Sequence, residues 1–241
     1  MKEELERCEQ NLVLDSLPPS RRMLLQHVLE QIHTDITDVY RVITYAGNRV
    51  FTGETLPSKE KVLSLSDGCA SYIKKGSRTP VIGYKPQLVR SENGFVTSLI
   101  VPQGNTADSA ELVPAIRESI ERTGIIAELV STDDGYASTA GGNAILSMGV
   151  KHLSISGSKG RKITSVENWD SELYRDARRN RSAVESLMFT IKFGYAFGEL
   201  GRRGIDAVRA ELQEKVIAYN CCRIILIRKR RERELELQQI G

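Results

Sequence analysis

The first part of the chain carries apolar side chains at the three- and four-residue spacing of an amphipathic helix. Pro18-Pro19-Ser20 interrupts its beginning and makes Ser20 the expected N-cap. Ala46-Gly47-Asn48 has the composition of a helix end. We therefore predict a helical segment ahead of residue 61. The apolar positions of this stripe are Leu24, Leu25, Val28, Leu29, Ile32 and Ile36.

From Lys61 onward the apolar period becomes that of strands. Residues 62–66 predict a first strand that ends at Asp67. Two more strands are predicted over residues 81–89 and 95–101, and Asn93-Gly94 between them is a hairpin signal. We expect these three strands to be antiparallel.

Helical and extended patterns alternate in the rest of the chain. Asp108 begins a predicted helix that Gly124 ends. This order predicts an α/β fold, a mixed sheet with helices on its faces. The later predicted elements are a strand at 125–130, a helix at 143–147, a strand at 151–156, a basic glycine-rich loop at 157–162, and helices at 178–192 and 205–231.

The composition is that of an ordinary globular protein, with 241 residues, 40% of them hydrophobic and 27% charged. It excludes a disordered or collagen-like chain, and the apolar runs are too short to cross a bilayer. No secretory signal is visible, so we expect a cytoplasmic protein without a membrane partner. None of the four cysteines forms a Cys-x-x-Cys pair, which argues against a zinc ribbon or a disulfide framework.

The net charge of +3 is unevenly distributed. Six basic and two acidic residues lie between Arg178 and Arg203, and Arg228–Arg233 adds a second basic cluster. Such clusters attract phosphate backbones, and they also occur on solvated helix faces. Charge alone leaves both interpretations open.

Three acidic residues occupy positions where chemistry is expected. Asp67 follows the first predicted strand and Asp133 the fourth, so both carboxylates meet at one sheet edge if those strands are neighbours. On the predicted helix around Glu185, Arg181 and Lys192 fall within about 40° of that residue. The helix face fits either a surface ion-pair ladder or a metal ligand between phosphate contacts.

Three carboxylates beside a cationic surface suit two-metal chemistry. Mg²⁺ prefers oxygen ligands, and two ions about 3.5–4 Å apart activate an attacking oxygen and stabilise a leaving one. The phosphate of a nucleic acid supplies the remaining negative charge. Spacing alone also allows Asp133 to be a turn residue, and Asp134 competes for the ligand role.

The basic helix carries a recognisable signature. The basic residues Arg181 and Lys192 flank Glu185, with three residues between Arg181 and Glu185 and six between Glu185 and Lys192. This spacing resembles the YREK signature of DDE transposases from bacterial insertion-sequence families four and five. The tyrosine position of that signature is Arg178 here, and the nearest tyrosine, Tyr174, lies one helical turn earlier.

Further motifs carry the same resemblance over residues 61–227. Asp133-Asp134-Gly135-Tyr136 resembles the second acidic motif of the family, which assigns the ligand role to Asp133. Asp67 stands where the first acid is expected, and residues 83–87 and Gly104-Asn105 resemble the second and third strands. The family usually carries more sequence ahead of the first strand.

The resemblance implies an RNase H-like fold, with three antiparallel strands followed by parallel strands and helices on both faces. It divides the chain into a helical lead-in at residues 1–60, which resembles the remnant of a DNA-binding region, a catalytic domain at 61–227 and a basic helical tail at 228–241. The implied activity is metal-dependent cleavage and transfer of DNA strands.

The resemblance also implies roles for individual residues. The catalytic carboxylates and ligands of two Mg²⁺ ions, for which Mn²⁺ can substitute, are Asp67, Asp133 and Glu185. The DNA-binding residues are Arg178, Arg181 and Lys192. The implied partners are the terminal inverted repeats of the element, the target DNA and a second copy of the chain on DNA.

Other interpretations stay open at this point. A shortened transposase without catalysis would act as a DNA-binding regulator of transposition, and an RNase H-like nuclease would use the same metals on RNA or hybrids. Trp169 is a candidate to stack on a displaced base or simply a packed side chain. Lys159, Arg161 and Lys162 either extend the phosphate track or form an exposed loop.

Overall fold

The computed structural model describes residues 4, 6–7, 16–57, 61–74, 77 and 79–240. Parts of the predicted helical lead-in and Cys8 therefore lie outside the described residues. The chain divides into two compact units, Met1–Gly68 and Cys69–Gly241. In the described part of the chain, no helix is both long and apolar enough to cross a membrane.

The first unit contains a long helix, α1, over Pro19–Phe51. It begins one residue before the predicted cap Ser20, because proline suits the first helical position, where no N–H partner is needed. It also continues through the predicted end at residues 46–48. Thr52 closes it by donating its backbone N–H to the Asn48 carbonyl at 2.8 Å.

The segment 62–66 was predicted as the first strand, and that prediction is wrong for this structure, in which the segment has no strand pairing. The Ser64 hydroxyl accepts a hydrogen bond from the Asp67 backbone N–H at 3.1 Å. A local bond of this kind bends the backbone and competes with a strand ladder. Asp67 consequently follows a bend in the first unit.

The second unit has mixed α/β structure, as predicted. Its strands are short and its last helix is the longest element of the chain. The elements in chain order are β1 Ser71–Ile73, β2 Val81–Gly83, β3 Gln87–Arg90, β4 Val96–Ile100, α2 Asp108–Thr123, β5 Leu129–Thr132, α3 Thr139–Ser147, β6 His152–Ile155, α4 Gly157–Ile163, α5 Val166–Asp170, α6 Glu172–Asn180, α7 Ser182–Gly194 and α8 Ile205–Ile240.

The described strands pair in twos. β1 with β2 and β3 with β4 are antiparallel, whereas β5 and β6 are parallel. The predicted strand at 81–89 is two strands, interrupted by Tyr84-Lys85-Pro86, where proline lacks the N–H that a ladder needs. The expected sheet of three antiparallel strands is therefore present only as separate pairs.

Two apolar clusters hold the second unit together. In one, Val96 and Leu99 of β4 pack with Ile191 of α7 and with Val208 and Leu212 of α8. The other joins α2, β5, α3 and β6. Its buried members are Leu112, Ile116, Val130, Ile145, Val150, Leu153 and Ile155.

Three predicted helical boundaries need correction. Residues 157–162 are not a loop but lie in α4, and the predicted helix at 178–192 is interrupted at Arg181, between α6 and α7. The last helix continues to Ile240, because no glycine or proline stops it. The basic cluster Arg228–Arg233 is thus part of α8.

The packing of α4 predicts a measurable cost for one methyl group. A Cβ at Gly160 would lie 2.1 Å from the Ile155 carbonyl oxygen. We expect Gly160→Ala to lower the free energy of unfolding by about 2 kcal/mol, because β6 and α4 must separate to admit it. Urea unfolding measures this as a lower midpoint at unchanged slope. Gly194→Ala is the matched control, since its Cβ meets nothing within 4 Å; an equal loss in both variants would contradict the contact.

Candidate active site

Asp133 stands directly after β5, at the start of a short 3-10 helix over Asp134–Tyr136. Its Oδ1 accepts the Gly135 backbone N–H at 2.9 Å. A carboxylate bonded in this way caps the turn and keeps a second oxygen for another ligand. The end of a strand therefore presents Asp133, as the sequence predicted.

Asp134 has a different task. Its Oδ1 accepts the backbone N–H groups of Lys159 at 2.7 Å and Gly160 at 3.1 Å, in the first turns of α4. A carboxylate at this position satisfies N–H groups that have no partner within the helix. Gly157, with φ 93°, allows the close approach, because a Cβ there would lie 2.6 Å from the Asp134 side chain.

Asp133, Arg181 and Glu185 line one cavity of about 700 Å³. Its walls are β3, α2, β5 and α7. The Arg181 Nη2 lies 3.4 Å from the Glu185 Oε1, and the two side chains are 39% and 70% exposed. The structure thus brings an acid from a strand end and an acid–base pair from a helix to the same opening.

A second cleft, of about 600 Å³, also includes Asp133 in its lining, together with Asp134, Arg178 and Arg181. The Arg178 guanidinium stands 4.3 Å from the Trp169 ring centroid, and its Nη2 donates to the Trp169 carbonyl at 2.8 Å. Its Nη1 is buried and has no hydrogen-bond partner among the described residues. Arg178, which lines the cleft, is therefore held in place by Trp169.

The aromatic candidates near the signature are both packed. Tyr174 is only 6% exposed, so Arg178 and not this tyrosine faces the cleft. Arg161 lies 6.0 Å from the Trp169 ring on which Arg178 also stacks. Trp169 is thereby engaged by two guanidinium groups in this structure.

Lys192 and Asp67 are the remaining members of the predicted set, and Lys192 does not line the cavity. Lys192 is exposed on α7, with its Nζ 5.5 Å from the Phe193 ring centroid. Asp67 belongs to the first unit. Within the described residues, no three acidic, histidine or cysteine side chains form a ready metal site.

Sequence reasoning missed a polar network behind Asp133. The Lys85 Nζ lies 2.7 Å from the Asp108 Oδ1, to which the Gln87 Nε2 donates at 3.1 Å. The Tyr136 hydroxyl donates to the Gln87 Oε1. Burial, followed by the charges of Asp108 and Asp133, raises the pKa of Tyr136 above its usual range. Of this network the sequence pattern indicates only Asp108, at which it predicts that a helix begins; Asp108 is the first residue of α2.

The donor set is suited to a hard divalent cation. Asp133 and Glu185 offer carboxylate oxygens, the ligands that Mg²⁺ and Mn²⁺ prefer. The single hydrogen bond that the Asp133 carboxylate accepts from the described residues goes to Oδ1. Two carboxylates hold such an ion only together with water, a third acid or a substrate phosphate.

Comparison with known proteins identifies the family of the chain. A family model described as the transposase DDE domain matches residues 64–221, more than half of the chain, and the match includes Asp67, Asp133 and Glu185. No curated protein and no solved structure matches the chain. DDE domains act on DNA with divalent metal ions. The chain belongs to the transposase DDE domain family.

Proposed function

We propose that this protein is the transposase of an insertion sequence of the YREK type, from families four and five, and that it cleaves and transfers DNA strands in the cytoplasm. Asp67, Asp133 and Glu185 are its proposed catalytic carboxylates. The single observation that carries the proposal is the cavity at the end of β5, which Asp133, Arg181 and Glu185 line together.

For Asp67 to join this site, a further strand is needed beside β3 and β5, and we propose that the working enzyme has one. β3 pairs only with β4, and β5 only with β6, among the described residues. The cavity between them is lined by all of β3 and by residues 129–133. Unpaired strand edges need a hydrogen-bonding neighbour when they are buried. A strand formed by residues 62–66 would pair with both edges.

The direction of the strands supports this assignment. Gln87 at the beginning of β3 contacts Tyr136, which follows the end of β5, so β3 and β5 run in opposite directions at this edge. A strand that ends at Asp67 beside Asp133 is then parallel to β5 and antiparallel to β3. That arrangement yields the RNase H-like sheet that the sequence predicts.

The lining of the cavity supports it further. The Thr132 hydroxyl is buried and lacks a hydrogen-bond partner among the described residues. With Asp67 level with Asp133, Ser66 lies opposite Thr132 and offers that partner. Leu63 and Leu65 would share one face of the strand, as residues two apart do, and fit the apolar walls formed by α2 and α7.

In the assembled site, the three carboxylates would hold two Mg²⁺ or Mn²⁺ ions. Such a pair of ions activates the attacking oxygen and stabilises the departing 3′-oxygen of a phosphodiester. Arg181 neutralises part of the substrate phosphate beside Glu185, and Lys192 adds charge further along α7. Arg178, which lines the neighbouring cleft, adds a further positive charge beside Asp133. Such contacts orient DNA without reading its sequence.

The experiment is a cleavage and joining assay on DNA duplexes that carry the terminal inverted repeats flanking the gene. With Mg²⁺ or Mn²⁺ we expect nicks at the repeat ends and joining to a second DNA, and with EDTA neither product, because the ions activate the attacking oxygen. On the repeats we expect two copies of the chain per pair of ends.

The other outcomes identify the alternative functions. Specific binding to the repeats without cleavage under any divalent ion would identify a regulator and contradict the proposal. Faster cleavage of RNA–DNA hybrids than of duplex DNA would identify an RNase H-like nuclease. Denaturing gels of duplex DNA, duplex RNA and the RNA–DNA hybrid, run in parallel, distinguish these results.

A further inference from the structure

A chain of polar side chains connects the charged residue Lys85 to the turn that carries Asp133. Lys85 pairs with Asp108 at 2.7 Å, Gln87 donates to the same Asp108 oxygen at 3.1 Å, and Tyr136 donates to Gln87. Gln87 is only 4% exposed. A buried amide is costly to place unless both of its ends are bonded, and here both are.

The polarity of this network is fixed by its charged end. A carboxylate paired with an ammonium group only accepts hydrogen bonds. Gln87 must therefore turn its NH₂ group toward Asp108, which leaves its oxygen facing the Tyr136 hydroxyl. The tyrosine must then donate, as it does in the structure. Asp108 thus determines the orientation of Gln87 directly and, through Gln87, that of the Tyr136 hydroxyl.

The network reaches Asp133 through Gly135. A Cβ on Gly135 would lie 3.0 Å from the Asp108 Oδ2 and 3.1 Å from the Asp133 Oδ1, so the glycine fits closely between the two carboxylates. Gly135 donates its N–H to the Asp133 Oδ1, and the Tyr136 N–H lies 3.2 Å from the Asp133 carbonyl. Moving Tyr136 therefore moves the turn that holds the Asp133 carboxylate.

We propose that Asp108 is a positioning residue, which acts through Gln87 and Tyr136 to hold the Asp133 carboxylate in the orientation that binds a divalent metal ion. The inference rests on the proposed function for the metal site. An acidic residue in the first turn of α2 is already explained by the helix dipole. The dipole does not explain why the buried Gln87 is hydrogen-bonded to Asp108 at one end and to Tyr136, in the Asp133 turn, at the other.

The test uses the full chain and exchanges the negative charge between Asp108 and Gln87, whose side chains are hydrogen-bonded to each other. Gln87→Glu places a second carboxylate against Asp108, and we expect the dissociation constant for Mn²⁺ to rise at least about 10-fold, as for other groups that orient metal ligands. Combining Gln87→Glu with Asp108→Asn restores a pair of one carboxylate and one amide, with the amide now at position 108 and the carboxylate at position 87. We expect Mn²⁺ binding to recover to within about 3-fold of the parent.

Mn²⁺ binding is measured from the electron paramagnetic resonance signal of the free ion, with no DNA present, and the thermal unfolding midpoint is recorded for each variant. A general loss of structure would lower the midpoint of both variants, whereas the recovery of Mn²⁺ binding in the charge exchange would not follow from it. Should Gln87→Glu fail to fold, Tyr136→Phe interrupts the network at its other end, because it removes the hydrogen bond from Tyr136 to Gln87 without adding charge. We expect about 10-fold weaker Mn²⁺ binding from it at an unchanged overall fold.

The outcomes separate this inference from the function on which it rests. A parent chain that binds no Mn²⁺ and cuts no DNA overturns both. A parent that binds Mn²⁺, with folded variants that bind it equally well, overturns the positioning role of Asp108 and leaves the proposed function standing. Failure of the charge exchange to recover binding in a folded protein likewise overturns the positioning role.

Discussion

Asp133→Asn is expected to reduce DNA strand cleavage by a factor on the order of 10³ or more, equivalent to about 4 kcal/mol of transition-state stabilisation. The asparagine oxygen can still accept the Gly135 N–H that Asp133 accepts at 2.9 Å, so the turn is preserved. What the substitution removes is the negative charge that we propose binds the metal ions. Single-turnover cleavage of repeat-end DNA in Mg²⁺ measures the loss.

Asp134→Asn is the matched control, one residue away and of the same chemistry. Its side-chain oxygen can still accept the Lys159 and Gly160 N–H groups, so α4 keeps its cap. We expect its cleavage rate to stay within about 3-fold of the parent, since no ligand is lost. DNA affinity, measured by fluorescence anisotropy in EDTA, should be similar in all three proteins. Equal losses of cleavage in both variants would contradict the assignment of the ligand role to Asp133.

The spacing of hydrophobic residues predicted those helices and strands that bury one face against the core. Leu112 and Ile116, four residues apart, are both buried in α2, as their helical spacing requires, and the apolar segment 95–101 contains β4. Gly124 ends α2 in the left-handed conformation, with φ 67°. In these elements the sequence pattern and the tertiary contacts favour the same structure.

The elements that sequence reasoning missed depend on contacts between distant residues. α4 forms at a glycine-rich segment because Asp134, from the turn after β5, bonds its first N–H groups. Tyr136 and Gln87 are 49 positions apart, and no periodicity connects them. No glycine or proline near Arg181 indicates in the sequence that the helix is interrupted there. Long-range hydrogen bonds of this kind are set by the fold and not by local propensity.

The candidate site was predictable to the same extent. Asp133 at a strand end and the four-residue step from Arg181 to Glu185 follow from local geometry, and the structure has both. The hydrogen bonds that support the Asp133 turn and the contact of Arg178 with Trp169 depend on the tertiary fold and have no local sequence pattern. The place of Asp67 in the site depends on whether residues 62–66 form a strand. For this segment the hydrophobic pattern favours a strand, whereas the hydrogen bond from the Asp67 backbone N–H to the Ser64 hydroxyl favours a bend.

A disulfide scan decides between those conformations, and we expect Ser66→Cys with Thr132→Cys to crosslink nearly completely under mild oxidation. If residues 62–66 pair in parallel with β5 and Asp67 is level with Asp133, the two Cα atoms are about 5 Å apart, within the range of a disulfide. The background carries serine at the four native cysteines, Cys8, Cys69, Cys221 and Cys222. Mass spectrometry of tryptic peptides measures the yield.

Ser66→Cys with Val130→Cys is the control, because it moves the partner two residues along the same strand and keeps it on the same face. In the proposed register its Cα atoms are about 8 Å apart, beyond what a disulfide spans. We expect little crosslink from this pair. Equal yields from the two pairs, or none from either, would contradict a strand at residues 62–66 and remove Asp67 from the site. A high yield confined to the first pair places a third carboxylate beside Asp133, where two metal ions require it.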